Sequence, residues 1–256
     1  MEEIITISAL GDNYIYLYKY DGNHALVIDP GEYPSVLEAL AKHHLTLTTI
    51  LTTHHHWDHI GGIAELKKRT GCTVVASDQR RIPSIDHFIE DGQILTFGNK
   101  KIQVIASPGH TRTAVCYYLQ PSCENETGIV WTGDTLFIGG CGRLLECLPQ
   151  TMWDSLLKLA ALPDMTYLYC GHDYTLENYE FAQMIEPDNQ AVKNRLKEIR
   201  QIQKYGKPTV PSMMGQEKAT NIFLRSNTPE VKASLKMPQA SDIEVFAELR
   251  RRKDIF

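Results

Sequence analysis

Thr53-His54-His55-His56-Trp57-Asp58-His59 stands between a β-branched run, Thr49–Leu51, and a stretch of helical periodicity, Ile60–Lys68. Its reading decides the fold. A strand would place His54, His56 and Asp58 on one face but splay them apart, so a loop is expected to aim these three and His59 at a common centre. Neutral imidazole nitrogens and a carboxylate suit zinc, iron or manganese. Four donors within six residues are too many for one catalytic ion that keeps an open position, which suggests two ions sharing one loop. Alternation turns His55 away, as a structural or hydrogen-bonded residue, and Trp57 reads as packing.

Outward from this stretch, strand-like and helical runs alternate. Ile4–Ser8, Tyr14–Tyr18, Ala25–Ile28, Thr73–Ala76, Ile102–Ala106, Val115–Leu119, Ile129–Thr132 and Tyr167–Cys170 read as strands. Helical spacing covers Val36–Ala41 and Met152–Leu162. Three strand ends carry further candidate ligands: His110 in Ser107-Pro108-Gly109-His110, Asp134 in Thr132-Gly133-Asp134, and His172 in Cys170-Gly171-His172. Carboxyl ends of strands are where layered α/β proteins put their chemistry. Taken singly, each of the three would be a turn residue after a glycine. Beside His-x-His-x-Asp-His they read as metal ligands.

After about residue 174 the texture changes to helices, Glu177–Ile185, Gln190–Lys204 and Asp242–Arg252, joined by polar, Pro-containing connections. The expected division is therefore an α/β catalytic domain over 1–173 and a smaller helical domain over 174–256. Composition excludes several classes. Of 256 residues, 43% are apolar and 22% charged, which is ordinary for a globular chain. A net charge of -5 lacks the positive field that nonspecific nucleic-acid binding needs. No apolar run approaches a membrane span, and the start, Met1-Glu2-Glu3-Ile4, is acidic where a targeting peptide would be basic. Cys72, Cys116, Cys123, Cys141, Cys147 and Cys170 form no CxxC pair and read as reduced thiols of a cytoplasmic protein.

The pattern resembles the metallo-β-lactamase superfamily, whose hallmark is His-x-His-x-Asp-His followed by a His, a bridging Asp and a final His. The resemblance implies an α/β (α+β) fold, a four-layer αββα sandwich of two facing sheets flanked by helices. It also implies that His54, His56 and His110 hold one ion and Asp58, His59 and His172 the other, with Asp134 bridging. The ions would be zinc, with iron or manganese as alternatives. Asp29, in Val27-Ile28-Asp29-Pro30-Gly31, matches a supporting position, though a plain turn aspartate reads equally well.

Within the superfamily the chain is most similar to the glyoxalase II (hydroxyacylglutathione hydrolase) family. The matching stretches include Asp12-Asn13-Tyr14, Gly140-Cys141-Gly142-Arg143, Gly171-His172-Asp173-Tyr174-Thr175, Asn221-Ile222-Phe223-Leu224-Arg225 and Leu249-Arg250-Arg251-Arg252-Lys253-Asp254. The family hydrolyses thioesters such as S-D-lactoylglutathione to glutathione and a 2-hydroxy acid, the second step of methylglyoxal detoxification. Glutathione carries two carboxylates, so cationic anchors are expected beside the metals. Arg143 is one, and Arg250 and Lys253, three apart on one helix face, are two more. Tyr174 matches the tyrosine that hydrogen-bonds glutathione. Asn178 lies close in sequence without an assigned role. Asp58 and Asp134 are the expected catalytic carboxylates, and the protein is expected to act as a monomer. The chain departs from the family at Leu145, where an aromatic residue is common, at Cys147 in place of Gly, and at Thr113-Ala114 in place of Gly-His. A persulfide dioxygenase or another hydrolase on the same fold is the alternative.

Overall fold

The computed structural model describes residues 4–123 and 126–256, so the acidic start Met1–Glu3 lies outside the described residues. The chain forms two compact units, one of residues 1–106 and 113–133, the other of 107–112 and 134–256.

The first unit opens with β1 (Ile4–Ala9), β2 (Asn13–Asp21) and β3 (His24–Ile28), followed by α1 (Pro34–Lys42) and β4 (Thr46–Leu51). A single helical turn, α2 (Trp57–Ile60), leads into α3 (Ile63–Thr70), β5 (Thr73–Ala76) and a two-residue β6 (His87–Phe88). These strands make one six-stranded sheet in the order β1-β2-β3-β4-β5-β6. The β1, β2 and β3 neighbours run antiparallel, while β3 to β6 run parallel. Ile15, Leu17, Val27, Ile50 and Val74 from its strands pack with Val36 and Leu40 of α1 and Ile63 and Leu66 of α3 in one core cluster. Burying that apolar face is what holds both helices to the sheet.

β7 (Ile94–Phe97), β8 (Lys100–Ala106), β9 (Val115–Leu119) and β10 (Ile129–Gly133) complete this unit as consecutive antiparallel neighbours. The two sheets meet through side chains. The rings of Tyr18 on β2 and Trp131 on β10 lie 5.6 Å apart. Tyr117 on β9 donates its hydroxyl to the Thr52 carbonyl at 2.9 Å, directly below the histidine stretch.

The second unit holds two short antiparallel pairs, β11 (Leu136–Phe137) with β12 (Gly140–Cys141) and β13 (Tyr167–Cys170) with β14 (Ser212–Met213). Its helices are α4 (Pro149–Ala160), α5 (Thr175–Ile185), α6 (Gln190–Lys204), α7 (Met214–Thr220), α8 (Pro229–Ser234) and α9 (Asp242–Asp254). An aromatic core of Trp153, Phe181, Phe223 and Phe246 joins α4, α5 and α9. α9 starts at a reciprocal cap: Ser241 accepts from the Glu244 backbone N–H, and Glu244 accepts from Ser241.

The long strands and helices fall where periodicity puts them. The short pieces β6, β7, β11, β12, β14, α7 and α8 have no counterpart in the sequence reading, because two to seven residues give too little period to register.

Candidate metal centre and thioester pocket

In the first unit the metal candidates hang from the ends of parallel strands. β3 and β4 are in register, with Ile28 opposite Leu51, so the residues that follow them emerge side by side. Asp29 follows Ile28 in the left-handed region, at φ 50°, a conformation non-glycine residues rarely adopt. There its buried carboxylate accepts the Thr53 backbone N–H at 2.7 Å, the Thr53 hydroxyl at 2.6 Å and His59 Nδ1 at 3.0 Å. Asp29 is thus a support of the histidine stretch and not a plain turn residue.

These bonds fix tautomers. A carboxylate only accepts, so His59 carries its proton on Nδ1 and offers Nε2. The Thr53 hydroxyl has spent its hydrogen on Asp29, so toward His54 Nδ1, 3.0 Å away, it accepts, and His54 too offers Nε2. Asn13, buried, donates to both the carbonyl and Oδ2 of Asp58, at 3.2 and 3.0 Å. Asn13 and Thr53 are contributors that the sequence reading did not assign. Asn13 lay in a family-matching stretch, and Thr53 headed the motif.

The expectation of a pure loop needs correction. His54–His56 is irregular, but Asp58 and His59 lie on α2, closed by the His59 N–H on the His56 carbonyl at 2.9 Å. A single turn turns successive side chains about 100° apart and lets both reach one side. His55 points elsewhere, accepting from Arg81 Nη1 at 3.0 Å, as alternation implied. The packing role expected of Trp57 does not hold, since it is 72% exposed.

In the second unit His110, Asp134 and His172 come together. His110 Nε2 is 3.5 Å and His172 Nε2 3.3 Å from the same oxygen, Asp134 Oδ2. All three are buried. His110 Nδ1 donates to the Arg143 carbonyl at 2.9 Å, so in the neutral ring Nε2 bears a lone pair. A lone pair and a carboxylate oxygen then face one another, as they would around a shared cation.

Spacing tests whether a metal fits. Tetrahedral bonds of about 2.0–2.1 Å set ligand atoms roughly 3.3 Å apart. His54 Nε2 to His56 Nδ1 is 3.1 Å, His59 Nε2 to Asp58 Oδ2 is 3.4 Å, and the two Asp134 separations are 3.5 and 3.3 Å, all close to that spacing. Asp29, His54 and His59 also present ligand atoms within 4.8 Å of one another. The donor set fits divalent ions, and one Asp134 oxygen stands at ligand spacing from two different histidines. This His/Asp set is consistent with a binuclear metal site.

Beside His110 and Asp134 lies a cavity of about 310 Å³, whose further walls are Phe137, Cys141, Arg143, Tyr174, Glu177, Asn178, Arg250 and Lys253. All four expected anchors, Arg143, Tyr174, Arg250 and Lys253, are in this wall. Leu145 is not, and is 58% exposed. Tyr174 stacks on the His172 ring, 4.9 Å between centroids and 3° between planes. Arg250 donates to the Cys141 carbonyl at 2.7 Å and pairs with Asp254 at 3.1 Å. Lys253 pairs with Glu177. Burial pushes the Cys141 thiol up to about 11 although Arg250 pulls the other way, so this cysteine is no nucleophile near neutral pH.

Three buried side chains that the sequence reading did not assign hold the glycine-rich segment of this wall. Asn178 donates to the Ile138 carbonyl at 3.1 Å, and Asn221 to the carbonyls of Phe137 and Gly140 at 3.2 and 3.1 Å. Glu217 accepts the Gly139 N–H at 2.7 Å. Gly142 is required by close approach, because a Cβ there would stand 2.0 Å from the Asp134 carbonyl oxygen.

The fold and the donor set define a member of the metallo-β-lactamase superfamily. The profile described as "Metallo-beta-lactamase superfamily" matches residues 9–172. Among solved structures, ETHE1 from Myxococcus xanthus aligns at TM-score 0.67 and 25% identity, over 97% of this chain and 90% of that one. The BLEG-1 B3 metallo-β-lactamase aligns at TM-score 0.64 and 22% identity, over 88% and 99%. The expected arrangement of two sheets flanked by helices, with a helical C-terminal region, is therefore present.

The narrower family follows from the rest of the chain. "Hydroxyacylglutathione hydrolase C-terminus" matches residues 173–256. The hydroxyacylglutathione hydrolase of Methylococcus capsulatus is 44% identical over 100% of this chain and 99% of its own length. That of Mesorhizobium japonicum is 42% identical over 99% of each. The chain belongs to the hydroxyacylglutathione hydrolase family. No helix among the described residues is long and apolar enough to cross a membrane.

Proposed function

We propose that this enzyme hydrolyses S-(2-hydroxyacyl)glutathione, with S-D-lactoylglutathione as substrate and glutathione and D-lactate as products, acting as a cytoplasmic monomer. In this reading His54, His56 and His110 would hold one ion and Asp58, His59 and His172 the other, with Asp134 shared between them; the ions would be zinc, with iron or manganese as alternatives. Residues 1–173 carry the catalysis and 174–256 contribute to glutathione recognition.

One observation carries the reading: the wall that holds His110 and Asp134 also holds Arg143, Arg250 and Lys253. A substrate bearing two carboxylates on one side of its reacting carbonyl calls for that juxtaposition. A neutral acyl substrate would not.

Two divalent ions, when bound, supply a water acidified toward neutral pH and a Lewis-acid hold on the carbonyl oxygen. The chain's own residues do the rest. Asp29, Thr53 and the Arg143 carbonyl hold His59, His54 and His110 with protons on Nδ1, so the Nε2 lone pairs are aimed before any substrate arrives. The Asp58 carboxylate, kept in place by Asn13, can accept a proton as the carbonyl is attacked. Arg143, Arg250, Lys253 and Tyr174 orient the peptide portion so that the thioester lies next to Asp134. The departing thiolate has a parent pKa near ~8.5 and needs no strong acid to leave.

The test is hydrolysis of S-D-lactoylglutathione by protein of measured metal content, run beside a β-lactam, a phosphodiester and oxygen uptake with glutathione persulfide. Thioester turnover should exceed the others by orders of magnitude. Preferential turnover of any other substrate would overturn the reading.

A further inference from the structure

The three cations of the cavity are not equally available. Arg143 makes no side-chain hydrogen bond or ion pair among the described residues. Arg250 is committed to the Cys141 carbonyl and to Asp254. Lys253 is covered: Glu177, from the first turn of α5, pairs with its ammonium, and the rings of Phe256 and Phe181 lie 5.1 and 5.9 Å from it. The lysine side chain is 6% exposed, whereas that of Glu177 is 59% exposed and forms part of the cavity wall.

We propose that Glu177 is a built-in competitor for the substrate: its carboxylate occupies the Lys253 ammonium that a glutathione carboxylate must reach, and so sets KM. This rests on the functional reading above and deepens it. The aromatic rings flank the ammonium, and Glu177 holds it on the side where both residues line the cavity. A carboxylate arriving there has the same charge and the same acceptor geometry as the one already present. Glu177 must swing outward, or the two anions repel across the lysine. Because the Glu177 side chain is 59% exposed, it can swing into solvent while the incoming carboxylate takes over the buried ammonium it leaves, which makes it displaceable and not blocking. A substrate lacking a carboxylate gains nothing from displacing it, so the contact also selects for anionic thioesters.

The experiment compares wild type, E177Q, K253M and the double variant, using KM and kcat for S-D-lactoylglutathione and for its dimethyl ester, and calorimetric Kd for glutathione. E177Q should lower KM and the glutathione Kd roughly two- to fivefold, the span expected when one carboxylate partner of the lysine is exchanged for another, with kcat unchanged. The gain should vanish for the diester and in the K253M background, where the contested ammonium is absent. A KM that is unchanged or raised in E177Q overturns the proposal, the second outcome meaning that Glu177 brackets Lys253 for the substrate. A gain that persists without Lys253 overturns it too. Wild type that turns over no thioester would sink the functional reading, while the glutathione Kd would still decide the role of Glu177.

Discussion

The two halves of the donor set are built in opposite ways. In the first unit, His54, His56, Asp58 and His59 come from one short stretch, and their support, Asp29, sits where a neighbouring parallel strand ends beside theirs. In the second, His110, Asp134 and His172 are drawn from segments tens of residues apart. Their frame is a glycine-rich segment pinned by Asn178, Glu217 and Asn221. That segment also supplies the carbonyls that hold His110 and Arg250. The first half is therefore specialised for presenting ligands. The second couples ligand presentation to substrate recognition through one stretch of backbone.

Removing the residue that serves two histidines should do the most damage. Asp134→Ala is expected to lose at least one ion per chain and almost all activity, checked by elemental analysis alongside turnover. Full turnover by a metal-replete variant would break the idea that the two halves depend on Asp134. Asp29→Asn should come next. It keeps the size of the side chain but cannot accept from Thr53 and His59 in the same way, and lost support of this kind typically costs 10–100-fold in metal affinity or activity. KM should stay near wild type, because Asp29 is not among the residues that line the cavity. A KM change as large as the kcat change would erase the proposed contrast between the halves.

Recognition in the second half predicts the reverse signature. Arg143→Ala and Lys253→Ala should each raise KM about tenfold, the worth of a hydrogen bond to a charged group, with kcat little altered. Equal falls in kcat would move these residues from binding into the chemistry.

How far the sequence spoke follows the same division. The motif His54–His59 was legible because its ligands are local and its residue types are rare in that density. The long strands and helices were legible because their apolar period runs for several turns or pleats. His110, Asp134 and His172 needed the family pattern to be joined, since each alone is a residue after a glycine. The supports were not legible at all. Asn13, Asn178, Glu217 and Asn221 act across 40 or more residues of chain, and a buried polar residue looks the same in sequence as a surface one. Glu177 was equally silent, because its partner lies on a different helix.

Glu217 gives the smallest and sharpest test. It is fully buried and accepts from Ser212, Gly139 and Asn221. Burial pushes its carboxyl above the usual range, and the three hydrogen bonds and nearby Arg195 offset that only in part. A carboxyl with a raised pKa in the folded state binds its proton more tightly there than in the unfolded chain. Its contribution to stability is complete below the unfolded value, ~4.3, and is lost as pH rises through the folded one. Glu217→Gln keeps the shape and can satisfy all three partners, its amide donating to Ser212, without ever ionising. Relative to wild type, the variant should therefore gain melting temperature as pH rises from about 4 toward 8, by a few degrees at most. KM and kcat should hold, since the segment over Phe137–Gly140 remains pinned. Glu217→Ala, which leaves the Gly139 N–H without its partner, should instead raise KM as Arg143 and Arg250 shift together. If Glu217→Gln instead loses stability relative to wild type as pH rises, the buried carboxylate is preferred in its charged form, and its role is to anchor the segment by charge and not by shape.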